Sequence, residues 1–226
     1  MGCAWIEFDV RLTADGALVL CHDDRLGRTT TGRGLVAEQP LAAIRGVDAG
    51  SWFGERFAGE RVPTLDEALT LCRELGLGAN VEIKAEGGRG PATAAAVADC
   101  IARLENRLPA ILVSSFLPDA VTAIAACAPA VPRGMLWRKV PHNWRKTVDR
   151  LGCTTVNTDQ LYLKEPVARG VRAAGYALLV YTVNDPKKAR QLFDWGVTSV
   201  FSDAPDIILR AVGTEAGDGA RPGAES

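Results

Sequence analysis

The chain has 226 residues, 47% apolar and 23% charged, with a net charge of −1 and a pI near 6.2. This is the balance of one soluble globular domain with a substantial core. The charge gives no basic footprint for nucleic acid or an anionic membrane, no run of about 20 apolar residues is present to insert in a bilayer, and the first residues, with no basic segment ahead of an apolar core, lead us to expect no secretory signal.

In chain order, short β-prone runs alternate with helical ones. Strands are expected at 4–11, 17–21, 79–84, 110–115, 132–137, 153–157, 176–183 and 197–202, and helices at 65–75, 92–107, 118–127, 143–151, 164–174, 186–195 and 204–212. In "PTLDEALTLCREL", Thr64 is placed to cap a helix with Glu67 three positions on. In "NDPKKARQLFDWG", Pro stands near the first turn and Gly just past the last. Apolar strands each followed by a helix indicate a parallel sheet covered by helices. With 17–21 set aside as a hairpin partner, seven strand–helix units remain, one short of the eight in a (β/α)8 barrel. Residues 24–62, rich in Gly, Arg and Thr, break this rhythm as a functional loop or small insertion. The small, polar tail 213–226 is expected to be disordered. The cysteines, at 3, 21, 72, 100, 127 and 153, form no CxxC pair, and four lie inside apolar patterns. They read as reduced thiols of a cytoplasmic protein. Ile6 argues against an acylated "MGC" start.

The chemistry concentrates at strand ends. Alternation puts Trp5, Glu7 and Asp9 on one face of the first strand and Ile6, Phe8 and Val10 on the face packed under helices. Adjacent carboxylates repel unless a proton or cation lies between them, and hard Mg²⁺ or Ca²⁺ suits an all-oxygen site. "NVEIK" adds Glu82, with Lys84 on the same face. Glu7, Asp9 and Glu82 therefore make one three-carboxylate site at the strand ends where barrel enzymes work. Lys84 suits a phosphate; it is alternatively the acids' own charge partner or a Schiff-base lysine. Arg11 is a second possible partner for the acids. His22, closing the hairpin, returns a proton carrier to the same mouth. His142 reads as a surface residue. Tyr181 packs either against a small polyol or into the core, and Ser202-Asp203 read as a cap for the last helix.

The stretches "IEFDVRLTADG", "HDDRLGRTTTGRG", "VDAGSWFGERFAGERVPTLDEAL", "NVEIK", "LVSSF", "YTVND" and "WGVTSVFSDAPD", in order from about residue 4 to 207, resemble the glycerophosphodiester phosphodiesterase family, bacterial cytosolic type. The resemblance implies a TIM (β/α)8-type barrel over 1–212, with 24–62 as the family insertion. It also implies hydrolysis of small-molecule glycerophosphodiesters to sn-glycerol 3-phosphate and an alcohol, with Mg²⁺ or Ca²⁺. Carried over by position, Glu7, Asp9 and Glu82 match the metal ligands and His22 one of two catalytic histidines. Lys84 matches a residue near the phosphate, and Tyr181 an aromatic that is often Trp.

The family's first strand, ending His-Arg-Gly, and its Pro-Glu-Asn-Thr helix start have no counterpart. The first catalytic histidine and the phosphate-binding arginine are therefore unmatched. An upstream start is the favoured account, over a remnant or a replacement group. For the chain as written, turnover is expected to be lower by about 10²–10⁴-fold. The alternative function is a remnant that binds metal and phosphodiester without turning it over.

Overall fold

The structure, a computed structural model, describes residues 2–104 and 108–213. Beyond Leu104 and Gly213, the end of the helix expected over 92–107 and the tail lie outside the described residues. Among the described residues, contacts give two compact units: one between residues 4 and 136 with 147–153, and one of residues 2–3 and 137–146 with 154–213.

The first unit holds β1 (Trp5–Leu12), β2 (Leu18–Leu20), α1 (Leu41–Arg45), α2 (Leu65–Glu74), β3 (Gly78–Ile83), α3 (Gly90–Leu104), β4 (Ile111–Ser115), α4 (Pro118–Cys127) and most of β5 (Arg133–Trp137). Its strands run in the order β2-β1-β3-β4-β5, parallel except for the β1–β2 hairpin. Every residue of β3 is buried, as expected of a strand covered on both faces. Its core joins Val10 of β1 with Val81, Ile83, Leu69 of α2 and Val97 of α3. Ile6, expected on this buried face, is instead 44% exposed. The hairpin partner β2 pairs only with Val10–Leu12.

The expected insertion builds a core of its own. Val36, Ile44 and Val62 pack with Leu26 and with Val19 and Cys21 of the hairpin. The segment is therefore a folded appendage to β2 rather than a structureless loop. At Gly50 a Cβ would sit 1.9 Å from the Phe57 carbonyl oxygen, so only glycine allows the loop to close there.

The second unit holds β6 (Thr155–Asp159), α6 (Glu165–Ala173), β7 (Ala177–Tyr181), α7 (Pro186–Asp194), β8 (Ser199–Val200) and α8 (Pro205–Gly213). Its strands are paired in parallel in that order. The remaining helix, α5 (Trp144–Leu151), contributes residues to both units. Among the described residues no helix is long and apolar enough to cross a membrane.

Helix ends follow the sequence closely. Thr64 Oγ1 accepts from the Glu67 amide and Glu67 Oε2 from the Thr64 amide, closing the expected capping box on α2. Such a cap contributes about 1 kcal/mol. Asp185 caps α7 ahead of Pro186. Gly152 and Gly196 take left-handed φ of 60° and 89°, which lets Cys153 and Val197 donate back to the carbonyls of Val148 and Leu192. The same bond ends α2 and α6, from Leu77 to Cys72 and from Tyr176 to Val171. This explains a shift in two strands. Apolar Cys153 and Val197, expected to open strands, belong to the turns that close α5 and α7, and β6 and β8 begin two residues later.

Candidate active site

Register brings the predicted acids together. Asp9 of β1 lies opposite Glu82 of β3, and parallel partners at the same level project to the same face. Glu7, Asp9 and Glu82 each offer a carboxylate oxygen, all within 4.8 Å of one another. Glu7 Oε1 and Glu82 Oε1 are buried and have no hydrogen-bond partner among the described residues. Burial first, then the charges of Asp9 and Glu82, push the Glu7 carboxyl up to about 8, while Lys84 pulls it back. Burial and Asp9 raise Glu82 to about 7, with Lys84 and Arg11 opposing. Lys84, just beyond β3, places Nζ 3.0 Å from Asp9 Oδ1 and 3.8 Å from Glu82 Oε1.

A single ammonium is too little for three carboxylates. Two buried oxygens remain without a donor, and two carboxyls are held high by burial first and then by proximity to the other acids. That environment fits a divalent cation: the donors are all hard oxygens on one face of two neighbouring strands, and a second positive charge would relieve the repulsion. Lys84 thus partners the acids, as one of its expected roles had it, and stands where an anion bound at the cluster would meet its ammonium.

Arg11 lends its charge to lowering Glu82 but makes its hydrogen bonds elsewhere. Its guanidinium donates to the carbonyls of Cys21 and His22 and to the Glu86 carboxylate. His22 stands two residues past β2, where the last sheet bond, from the Cys21 amide to the Asp9 carbonyl, is 3.1 Å long. Its ring is 63% exposed, with Nδ1 2.7 Å from Asp23 Oδ1. Asp23 is gripped by Arg28 through Nε at 2.6 Å and Nη2 at 3.0 Å. The hydrogen bonds from Arg28, then that of His22, hold the Asp23 carboxyl well below the usual carboxylate range. An ionised Asp23 only accepts, so the hydrogen of a neutral His22 sits on Nδ1 and its lone pair on Nε2.

His22, Glu82, Lys84, Arg11 and Phe116 line one open cleft of about 700 Å³. Sequence reading did not find the Asp23–Arg28 grip or the place of Phe116. "HDDRLGR" carried a signal for the first, an acid beside the histidine with an arginine five residues on.

Of the other candidates, Tyr181 ends β7 in the second unit, where its hydroxyl donates to the Trp137 carbonyl at 3.0 Å. His142 is exposed, as expected. Ser202 Oγ accepts from the Ala204 amide just ahead of α8, a role close to the expected cap. All six cysteines are free, with Cys21, Cys72, Cys100 and Cys153 buried.

Against known proteins, the sequence model of the Glycerophosphoryl diester phosphodiesterase family matches residues 1–207. A glycerophosphodiester phosphodiesterase of Caldanaerobacter subterraneus subsp. tengcongensis is 30% identical, over 94% of this chain and 87% of the relative. Among solved structures, an Oleispira antarctica phosphodiesterase in complex with the product sn-glycerol-3-phosphate superposes with a TM-score of 0.89 at 36% identity, over 94% of this chain and 86% of that one. The glycerophosphodiester phosphodiesterase of Agrobacterium tumefaciens gives 0.78 at 28% identity, over 92% and 87%. The expected α/β fold of the TIM-barrel type is the fold that these matches share with the chain.

Proposed function

Because this chain belongs to the glycerophosphoryl diester phosphodiesterase family, we propose that it hydrolyses glycerophosphodiesters to sn-glycerol 3-phosphate and an alcohol, with a divalent cation held by Glu7, Asp9 and Glu82. One observation carries this reading: three buried or half-buried carboxylates converge within 4.8 Å of one another, and one of them, Glu82, lines a cleft that also presents a lysine and a histidine. The product named for the Oleispira antarctica structure supports the substrate class.

A bound Mg²⁺ or Ca²⁺ supplies neutralisation of phosphate charge and makes a nearby hydroxyl more acidic. The chain's own groups do the rest. Lys84 offers its ammonium to the phosphate while Asp9 keeps it at the strand end. His22 accepts at Nε2 the proton of the attacking hydroxyl, the glycerol's own in the route the family implies. As the glycerol oxygen bonds to phosphorus, the bond from phosphorus to the alcohol breaks and the leaving alkoxide takes a proton from water. The hydroxide so formed opens the cyclic phosphate as the His22 imidazolium returns its proton to the glycerol oxygen. Asp23 holds the ring in the competent tautomer and steadies the imidazolium that forms. Among the described residues no second histidine lines this cleft, so turnover falls below that of a site with both acid–base groups by about 10²–10⁴-fold. Six unpaired cysteines support a cytoplasmic setting.

The test is release of sn-glycerol 3-phosphate from glycerophosphocholine with added Mg²⁺ or Ca²⁺, then with excess chelator. The reading requires slow turnover that the chelator abolishes. Thermal stabilisation by cation and sn-glycerol 3-phosphate with no product would leave the binding remnant instead. Turnover indifferent to chelator would remove the carboxylates from the chemistry.

A further inference from the structure

Arg11 occupies the next same-face position of β1 after Glu7 and Asp9, and its side chain is only 8% exposed. An arginine two places beyond metal-ligand candidates, lining the same cleft, invites the role of a phosphate ligand. Its hydrogen bonds point elsewhere. Nη2 donates to the His22 carbonyl at 2.7 Å, Nε is shared between the carbonyls of Cys21 at 3.1 Å and His22 at 3.2 Å, and Nη1 pairs with Glu86. Three of these four contacts end on the peptide that carries the histidine. The fourth, an ion pair with a residue of the loop after β3, satisfies the guanidinium's charge without the acid cluster or a substrate.

The need for such a clamp is visible in the chain path. Sheet bonding between β1 and β2 stops at Leu20, and the Cys21 amide makes the last bond back to β1. His22 is beyond the ladder with a mostly exposed ring, and Asp23 and Arg28, which hold that ring, are on the same departing loop. The Asp23–Arg28 grip therefore fixes the ring relative to its own loop, whereas Arg11 fixes the loop relative to β1. The planar fork of an arginine spans two successive carbonyls and a carboxylate, a geometry that one ammonium cannot reproduce.

Resting on the reading of His22 as the proton carrier, we propose that Arg11 is a positioning residue that locks the Cys21–His22 peptide to the carboxylate-bearing strand and so sets the distance between His22 and the reacting phosphate. It does not touch the substrate.

The experiment compares the parent chain with Arg11→Met, Arg11→Lys and Glu86→Gln. It uses cation-loaded turnover of glycerophosphocholine, calorimetric affinity for sn-glycerol 3-phosphate, and the imidazole NMR signals. The chain has only two histidines, so His142→Gln assigns the His22 signal outright. In Arg11→Met, kcat should fall by about 10²-fold, the scale of a misplacement near 1 Å. KM and product affinity should stay within about twofold, and the His22 signal should broaden or split. Arg11→Lys should recover only part of kcat, and Glu86→Gln should lose a few-fold. If Arg11→Met does not fold, the other two variants carry the same readouts. A tenfold loss of product affinity with kcat preserved would make Arg11 a phosphate ligand and overturn the proposal. Full recovery by Arg11→Lys would reduce it to a charge, and an unchanged His22 signal would show that nothing had been positioned. If the parent chain itself gives no turnover, the functional reading fails on its own, and the His22 signal still decides for or against the clamp.

Discussion

Asp48 in the insertion and Glu7 on β1 show two opposite fates of a carboxylate in the same unit. Asp48 is wrapped by its own loop: Oδ1 accepts from the amides of Gly50 and Ser51, both at 2.8 Å, and Oδ2 from Gly59 at 2.5 Å. These backbone donors, Ser51 first, hold its carboxyl far below the ordinary value. Glu7 is buried beside two more acids, keeps an oxygen with no donor, and is pushed up to about 8. The first arrangement is complete without a ligand and serves the loop. The second stays in deficit until a cation or a proton arrives, which is the physical mark of a binding site rather than a structural one.

The contrast is tested most severely by removing a carboxylate from each side. Glu82→Gln should cost more than about 10²-fold in turnover, since a metal's charge stabilisation is worth several kcal/mol at 1.36 kcal/mol per tenfold. Ca²⁺ binding followed by calorimetry should disappear with it. Asp48→Asn should leave turnover within about twofold while lowering the thermal midpoint. Equal effects of the two variants on turnover would erase the distinction.

The next effect lies in the pH dependence of the cation-free chain. Glu7 and Glu82 titrate near 8 and 7 in the fold against 4.5 for an ordinary glutamate. For a carboxyl raised in this way, the folded state binds more protons than the unfolded one. The stabilisation is complete below about 4.5 and is lost as pH rises through about 7 to 8. Melting followed by circular dichroism should show the midpoint falling over that window. Saturating Ca²⁺ should flatten the slope, as should the double variant Glu7→Gln with Glu82→Gln. A midpoint that rises from pH 5 to 8 without cation would contradict the clustered acids.

Asp48 should give the smallest effect, with the opposite sign. Its carboxyl is depressed, so its contribution is present above the ordinary 3.8 and is lost as pH falls below it. In acid titrations Asp48→Asn should flatten the low-pH limb of the stability curve and leave the limb above pH 5 unchanged.

The sequence by itself determined the alternation of strands and helices, the capping box at Thr64, and the placing of Glu7, Asp9, Glu82 and Lys84 together at strand ends. Each follows from short-range rules: a period of two along a strand, a cap three residues from its partner, and parallel strands that leave their ends at one level. The family resemblance named the substrate class on the same residues. What only the tertiary structure decided depends on reach between distant segments. Arg11 had acids two and four residues away on its own face, yet its guanidinium goes to Glu86, 75 positions along the chain, and to the carbonyls of the hairpin's far end. Strand starts at Cys153 and Val197 read as apolar continuations until the left-handed glycines before them gave those amides to the preceding helices. Spacing fixes which side of a strand a residue faces; which of several partners within its reach it takes is settled only when the segments are packed and each buried donor and acceptor must be satisfied.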